Sequence, residues 1–274
     1  LGTLYIVPTP IGNLEDITLR ALRVLREVAL IAAEDTRTTR KLLRHYAIDT
    51  ALTSYHEHNK LVKLDAIFAA LATGAVALVS DAGTPGISDP GYELVKAALA
   101  RGIRVEPLPG ATALIPALVA SGLPTDEFVY LGFLPKKRKA RRDALERIKG
   151  EQRTLVAYES PNRLLEALED VHDVLGDRPV CVAREVSKLY EEFQRGDVSD
   201  VLAYYRDTPP RGEIVLVIGG ASSADTLWDA EQIRAALRTR LAAGEGLNAA
   251  AKAIARESGW NKGDVYRIGV EMMD

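Results

Sequence analysis

A single cysteine, Cys181, excludes an intrachain disulfide and, set in the apolar run PVCVA, reads as core packing in a reducing compartment. Histidine is scarce as well: His45, His56, His58 and His172 are the only ones, and none has a cysteine at ligand spacing. His56 and His58 alternate around Glu57, two side chains where a structural zinc site takes four, so no metal is expected. No apolar run approaches the roughly 18 residues of a membrane span, and no basic-then-apolar leader with a small-residue cleavage site opens the sequence. A cytoplasmic protein outside the membrane is the expectation. The G-x-S-x-G elbow of a serine hydrolase is missing. Ser80 precedes Asp81 without flanking glycines, and Ser88 reads as a turn or capping hydroxyl. Neither the dinucleotide fingerprint nor the phosphate loop occurs. A formal charge of −3 does not point to a strongly basic nucleic-acid coat, and it leaves room for a local basic patch.

What is present is a soluble globular makeup, 47% hydrophobic and 27% charged, in a chain long enough for one large domain or two of ordinary size. Residues 4–7 read as a first strand ending in PTPIGN. After Thr18 comes a helical period, then a strand over residues 28–35, a short helix through Leu42, and a helix over residues 61–71. Residues 76–91, VALVSDAGTPGISDPG, form the centre of this pattern: a short buried strand followed by three glycines and two prolines in ten residues. Such a loop at a strand's carboxyl end suits a small-molecule cradle, or simply a tight turn. A helix over 93–101 and a strand over 103–108, ending in PGAT, complete a parallel α/β unit over 1–120.

SGLPTDE, residues 121–127, reads as a hinge. Beyond it, a strand over 128–131, a basic helix, strand–loop–helix from RTLVAYESPNRLLEAL, a strand running into a polar arm, and a last strand over 214–218 predict a second α/β unit with a mixed sheet, 121–220. Residues 221–274 are alanine-rich and helical, with a helix–turn–helix-like pair around Ser258 and Gly259, suited to packing against the second unit or to binding RNA or a partner.

Three groups carry candidate chemistry. KKRKARR, residues 136–142, has six basic residues in seven; it is either a solvated helix face or a phosphate-backbone contact. Tyr158 and Glu159 with Ser160, Pro161, Asn162 and Arg163 close one strand. Arg184 and Glu185 with Ser187, Lys188, Tyr190 and Glu191 close another. Both place charge beyond an apolar strand, at an open sheet end or in a solvent-facing loop.

The motifs PTPIGNLEDIT, AAEDTRTTRKLL, SDAGTPGISDPG, LPGATALIPALVASGL, YLGFLP, YESPNR and REVSKLYEE, in this order, resemble the bacterial 16S rRNA cytidine 2′-O-methyltransferases of the tetrapyrrole methylase superfamily. The likeness runs from Leu4 to about Gly219, with the remaining tail similar to that family's small terminal domain. Asn162 stands where the family pattern has His. The resemblance implies a class III methyltransferase fold of two α/β domains with S-adenosylmethionine folded between them, plus a small helical C-terminal domain. It also implies a homodimer acting on 16S rRNA of the small ribosomal subunit, with no DNA and no membrane partner. A tetrapyrrole-precursor C-methyltransferase, or a non-catalytic RNA-binding assembly factor, are the alternatives.

Carried over by the resemblance, the cofactor loops fall on Pro10, Ile11 and Gly12, and on Asp81, Ala82, Gly83, Thr84, Pro85, Gly86, Ile87 and Ser88. Ala111, Thr112, Tyr158 and Val186 add further lining, with Glu213, Ile214 and Val215 on the last strand. Methyl transfer from a sulfonium to a ribose oxygen needs alignment and somewhere for the hydroxyl proton to go. Lys188 and Glu185 are expected to serve the developing oxyanion and the proton, with Glu159, Glu34 and Arg37 orienting. Lys136, Lys137, Arg138, Lys139, Arg141, Arg142 and Arg163 are expected to bind RNA.

Overall fold

The computed structural model describes residues 2–56, 60–221, 228–258 and 260–272. Its first sheet joins β1 (Thr3–Ile6), β2 (Leu30–Ala33), β3 (Leu52–Ser54), β4 (Val76–Val79) and β5 (Arg104–Pro107) in the order β3-β2-β4-β1-β5, all parallel. The chain steps outward from β1 to β3, returns to β4 in the middle, and crosses β1 to reach β5. The loops after β1, β2, β4 and β5 therefore leave from one carboxyl edge, where open α/β sheets bind ligands.

Each helix on this sheet starts where its sequence directs. Thr18 Oγ1 accepts from Ala21 N–H at 3.0 Å and caps α1 (Leu19–Glu27); Asp35 caps α2 (Thr36–His45) through Arg37 N–H. α1 and α2 bury Leu25 and Leu43 against Ile31 and Val79 on one face. On the other face Leu94 of α4 (Tyr92–Ala100) packs with Leu4 and Leu78, next to Ile67 and Leu71 of α3 (Lys60–Thr73). With both faces covered, β4 is buried at all four residues, as its unbroken apolar run requires.

The second sheet joins β6 (Phe128–Phe133), β7 (Thr154–Glu159), β8 (Pro179–Arg184), β9 (Glu192–Asp197) and β10 (Ile214–Ile218) in the order β6-β7-β10-β8-β9, with only β6 and β7 parallel. Its strands alternate between two cores. Leu155, Val182 and Leu216 face α7 (Leu164–Leu175) and α8 (Val198–Asp207); Val156, Cys181, Val215 and Val217 face Ala117 and Leu118 of α5 (Leu114–Ala120). Because α5 directly follows the first sheet's last strand, its burial on the second sheet joins the two, with Ile11 packed into the same cluster. Cys181 lies here, fully buried, its thiol pushed up to about 11 by burial.

β3, β9 and α8 go beyond the sequence expectations. β3 is a three-residue edge strand, and β9, EFQRGD, is an edge strand whose charges conceal its period. After the second sheet, α9 (Ala230–Ala242), α10 (Leu247–Ser258) and α11 (Lys262–Glu271) close on Ile233, Leu237, Ile254 and Val265. Small residues bring α10 and α11 together: a Cβ on Gly269 would lie 2.2 Å from Leu247 Cδ1. No described helix is long and apolar enough to cross a membrane.

Candidate active site

A cavity of about 370 Å³ opens between the carboxyl edge of the first sheet and the second sheet, within the size range of small-ligand sites. Asp81, Ala82, Gly83, Thr84, Ile87 and Ser88 supply one wall, Ile11 and Thr112 the floor between sheets. Tyr158, Glu159, Val186, Glu213, Ile214 and Val215 supply the opposite wall. Most of the anticipated lining thus converges. Pro10 and Gly12 instead line a smaller neighbouring cavity of about 230 Å³, which shares Asp81. Pro85 is buried, Gly86 is turned out to solvent, and Ala111 offers its carbonyl to Thr84 Oγ1 at 3.0 Å.

The loop after β4 is held by backbone geometry. Thr9 and Gly83 exchange both N–H···O bonds at 2.9 Å, so the Gly83 backbone is already paired. Gly83 has φ +82°, and a Cβ there would meet only ordinary contacts, the nearest Ile11 Cγ2 at 3.5 Å. Its glycine is needed for the left-handed conformation rather than for close ligand approach. Ser88 takes φ +61° and shares a 2.7 Å hydrogen bond with Tyr130 Oη, tying the loop tip to the second sheet. Tyr158 stacks edgewise with Tyr130 and against Phe133, which completes an aromatic wall.

Electrostatically the cavity is one-sided. Glu34, Asp81, Asp89, Glu159 and Glu213 line it, and none of its described lining residues is cationic. Burial raises the carboxyl pKa of both Glu34 and Asp81. Asp89 is pushed up to about 7, first by burial and then by the charges of Glu34 and Asp81. Burial also raises Glu159, against the opposing effect of Ser160 N–H at 2.7 Å and the Arg163 guanidinium at 2.5 Å. Arg37 lies outside, paired with Asp35 at 2.6 Å.

Lys188 and Glu185 do not line this cavity. Lys188 Nζ donates to Glu185 Oε1 at 2.8 Å and to Glu213 Oε2 at 3.2 Å, and Glu213 N–H donates to the same Glu185 oxygen at 2.8 Å. They brace the cavity's rim.

The basic run does not form one RNA-binding face, as the sequence led us to expect, because its helix turns part of it inward. Lys136, Lys137, Arg138 and Lys139 are exposed at the start of α6 (Arg138–Glu146), whereas Arg141 is completely buried, donating to Asp170 at 2.7 Å and to Glu166 at 3.2 Å. Arg138 and Arg142 also bind Asp170, each at 3.1 Å. Arg141 is a core residue and cannot touch RNA. Arg163 is likewise held inward by Glu159, Ser160 and the Leu134 carbonyl. In a helical run of basic residues the period decides which ones point inward, and Arg141 falls on the α7-facing stripe.

Ser160 and Pro161, from the group expected to carry chemistry after β7, also line the cavity, and Asp89, Ala113, Phe133 and Gly212 join them without having been anticipated. Asp89 belongs to the SDPG motif, where an Asp before Pro signals a turn; only the convergence of Glu34 and Asp81 on it reveals more. His58 lies outside the described residues. Among the described residues no group of three or more His, Cys, Asp or Glu is placed to hold a metal ion.

The sequence pattern of the Tetrapyrrole (Corrin/Porphyrin) Methylases matches residues 3–202. A protein of Halalkalibacterium halodurans named ribosomal RNA small subunit methyltransferase I is 47% identical over 97% of this chain and 94% of its own. Its namesake in Synechocystis sp. is 46% identical over 99% of both. Among solved structures, uroporphyrin-III-C-methyltransferase from Thermus thermophilus superposes with a TM-score of 0.55 at 22% identity, over 81% of this chain and 96% of that one, a likeness of fold. The two sheets, the cleft between them and these relatives together lead to one conclusion: the chain belongs to the tetrapyrrole methylase family, in the branch of the ribosomal RNA small subunit methyltransferases I.

Proposed function

We propose that this protein is an S-adenosylmethionine-dependent methyltransferase that methylates the ribose 2′-oxygen of a cytidine in 16S rRNA of the small ribosomal subunit. The observation that carries the cofactor assignment is the cavity's charge: five carboxyl groups and no cation among its described lining residues, with only Glu159 and Glu213 paired to a cation at its edge, Arg163 and Lys188. Such a site favours a cationic ligand, and S-adenosylmethionine carries a sulfonium and an ammonium. Ile11, Ile87, Val186 and Val215, with Tyr158 and Phe133, supply apolar surface for its adenosyl part. When bound, the cofactor supplies an activated methyl group on a neutral leaving group.

The protein's own contribution is then alignment and proton management. The paired backbones of Thr9 and Gly83 fix the wall after β4, and the Ser88–Tyr130 bond fixes its far end, so the reactants meet in a prepared geometry. Asp89, a cavity-lining carboxyl pushed up to about 7, is suited to receive the hydroxyl proton, because a base near neutrality is half available and still basic enough to act. Glu159 is committed to Ser160 and Arg163, which suits it to orienting rather than proton transfer.

Only the target ribose has to enter this acidic cavity, while the rest of the polyanionic substrate is held outside it. Lys136, Lys137 and Lys139, exposed at the start of α6, offer the phosphate contacts. The reading includes three units (1–120, 121–220 and 221–274) and a cytoplasmic homodimer that acts on ribosomal particles and not on DNA. Tyr92 and Val119 are large apolar side chains left exposed outside the cavity.

Calorimetric titration with S-adenosylmethionine and with S-adenosylhomocysteine tests the cofactor assignment. Saturable binding of both, with competition between them, is expected. Absence of binding by the folded protein overturns it.

A further inference from the structure

The residues after β8 make an unusual reversal. Glu185 and Ser187 both adopt left-handed backbone, φ +52° and +68°, on either side of Val186, which is buried and lines the cavity. The reversal is locked by Glu185 N–H to the Glu213 carbonyl at 2.9 Å, Lys188 N–H to the Glu185 carbonyl at 2.9 Å, and Ser187 N–H to the Glu191 carboxylate at 2.6 Å. From this turn two side chains cross to the loop after β1. Ser187 Oγ donates to the Asp16 carboxylate, and the Lys188 stem lies directly over Gly12.

The fit at Gly12 is close. A Cβ added there would lie 2.1 Å from Lys188 Cγ and 2.9 Å from both Cδ and Cε. Gly12 is not in a left-handed conformation, so space and not backbone freedom demands the glycine. The ammonium at the end of that stem is held by Glu185 and Glu213, and Glu213 itself lines the cavity. The adjoining Ile11 lines the cavity from the first sheet's side.

We propose that Lys188 is a positioning residue: its stem, seated on Gly12 and anchored by Glu185 and Glu213, clamps the first sheet's loop to the second sheet and sets the spacing of Ile11, Val186 and Glu213 around the cofactor. The proposal rests on reading the cavity as the cofactor's site. An oxyanion-stabilising role would need the ammonium at the reacting oxygen, whereas here two carboxylates hold it at the rim. Burial works against the charge, but those two hydrogen bonds hold the Lys188 ammonium above the usual lysine range.

The test is a size swap across the contact, using Gly12→Ala, Lys188→Ala, the double variant and Lys188→Met. Thermal unfolding without cofactor reads the fit itself, so it stands even if the cofactor assignment fails. Gly12→Ala should lower Tm, and adding Lys188→Ala should restore most of that loss, because the new methyl enters space the stem has left. Calorimetry then reads the positioning: Gly12→Ala and Lys188→Ala should each weaken S-adenosylmethionine binding by about tenfold. The double variant should bind no worse than Lys188→Ala alone. Lys188→Met, which keeps most of the stem and loses the anchor, should fall between wild type and Lys188→Ala in affinity. At saturating cofactor, single-turnover methylation by Lys188→Met should stay within roughly threefold of wild type. Two results would overturn the proposal: a double variant no more stable than Gly12→Ala, or Lys188→Met with normal affinity and a loss of about 100-fold in single-turnover rate.

Discussion

Arg141 Nε lies 2.7 Å from Asp170 Oδ2, and both side chains are wholly excluded from water. The pair joins α6 to α7 beneath a helix whose opening residues are exposed lysines and an arginine. One run of six basic residues therefore serves two purposes. Arg141→Ala removes the one wholly buried partner of Asp170 while Arg138 and Arg142 still reach the carboxylate, so it should cost about 2–3 kcal/mol in denaturant unfolding, less than an isolated buried pair. The hydrogen bonds from Arg141, Arg138 and Arg142 outweigh burial, which acts in the other direction, and hold Asp170 below the usual carboxylate range. Their stabilisation is present above the unfolded aspartate pKa and is lost as pH falls through the depressed folded value. Arg141→Ala should accordingly lose its stability deficit relative to wild type in strong acid.

The exposed side of the same helix should behave oppositely. Replacing Lys136, Lys137 and Lys139 with Gln should leave Tm nearly unchanged and weaken binding to ribosomal RNA. The slope of log affinity against log salt should fall by about 0.7–0.9 for each phosphate that a lysine no longer neutralises. Filter binding across a salt series measures this. An unchanged slope would make these lysines a solvated face only.

Gly83→Ala should destabilise the fold by about 1–2 kcal/mol through its φ of +82°. The methyl group itself meets no atom closer than 3.5 Å. Cofactor affinity should fall with the loss of the Thr9–Gly83 pairing, and S-adenosylmethionine should recover part of the lost Tm by binding the native loop.

Asp89 offers a test that combines stability and rate. Its carboxyl, raised to about 7, binds more protons in the folded than in the unfolded state between about pH 4 and pH 7. Its contribution to stability therefore declines as pH rises through that window. Asp89→Asn should remove this penalty, so that the variant is more stable than wild type at pH 8 and the advantage vanishes near pH 4. The same substitution should reduce single-turnover methylation by about 100-fold or more, the usual weight of a positioned base. Thermal scans and single-turnover assays over pH 4–9 check both. A variant with normal turnover would remove Asp89 from proton transfer.

Much of the site was legible because its elements follow local rules. VALVS followed by SDAGTPGISDPG displays a buried strand and a glycine- and proline-rich turn, and PTPIGN and PGAT repeat the pattern at neighbouring strand ends. Parallel order then brings those ends to one edge. What the sequence obscured depends on tertiary placement. Arg141 differs from Lys139 only by its position around α6, and Asp89 becomes distinctive only when Glu34, some 50 residues earlier, is folded beside it. Lys188 carries a functional charge by composition alone, yet its surroundings, Gly12, Glu185 and Glu213, come from three separate strand ends. The edge strand β9 shows no clean alternation because its exposed positions, Arg195 and Asp197, and the half-buried Glu192 all carry charge on a six-residue strand.

The most direct test of the account is to map the transferred methyl group. Purified protein, small ribosomal subunits and methyl-labelled S-adenosylmethionine are incubated together, and the labelled RNA is hydrolysed in alkali. A 2′-O-methyl blocks the 2′-oxygen's attack on the adjoining phosphodiester, so the label should appear in 16S rRNA as an alkali-resistant dinucleotide whose first residue is cytidine. Label released as a base-methylated mononucleotide, or transfer to a tetrapyrrole precursor with none to ribosomal particles, would contradict the account.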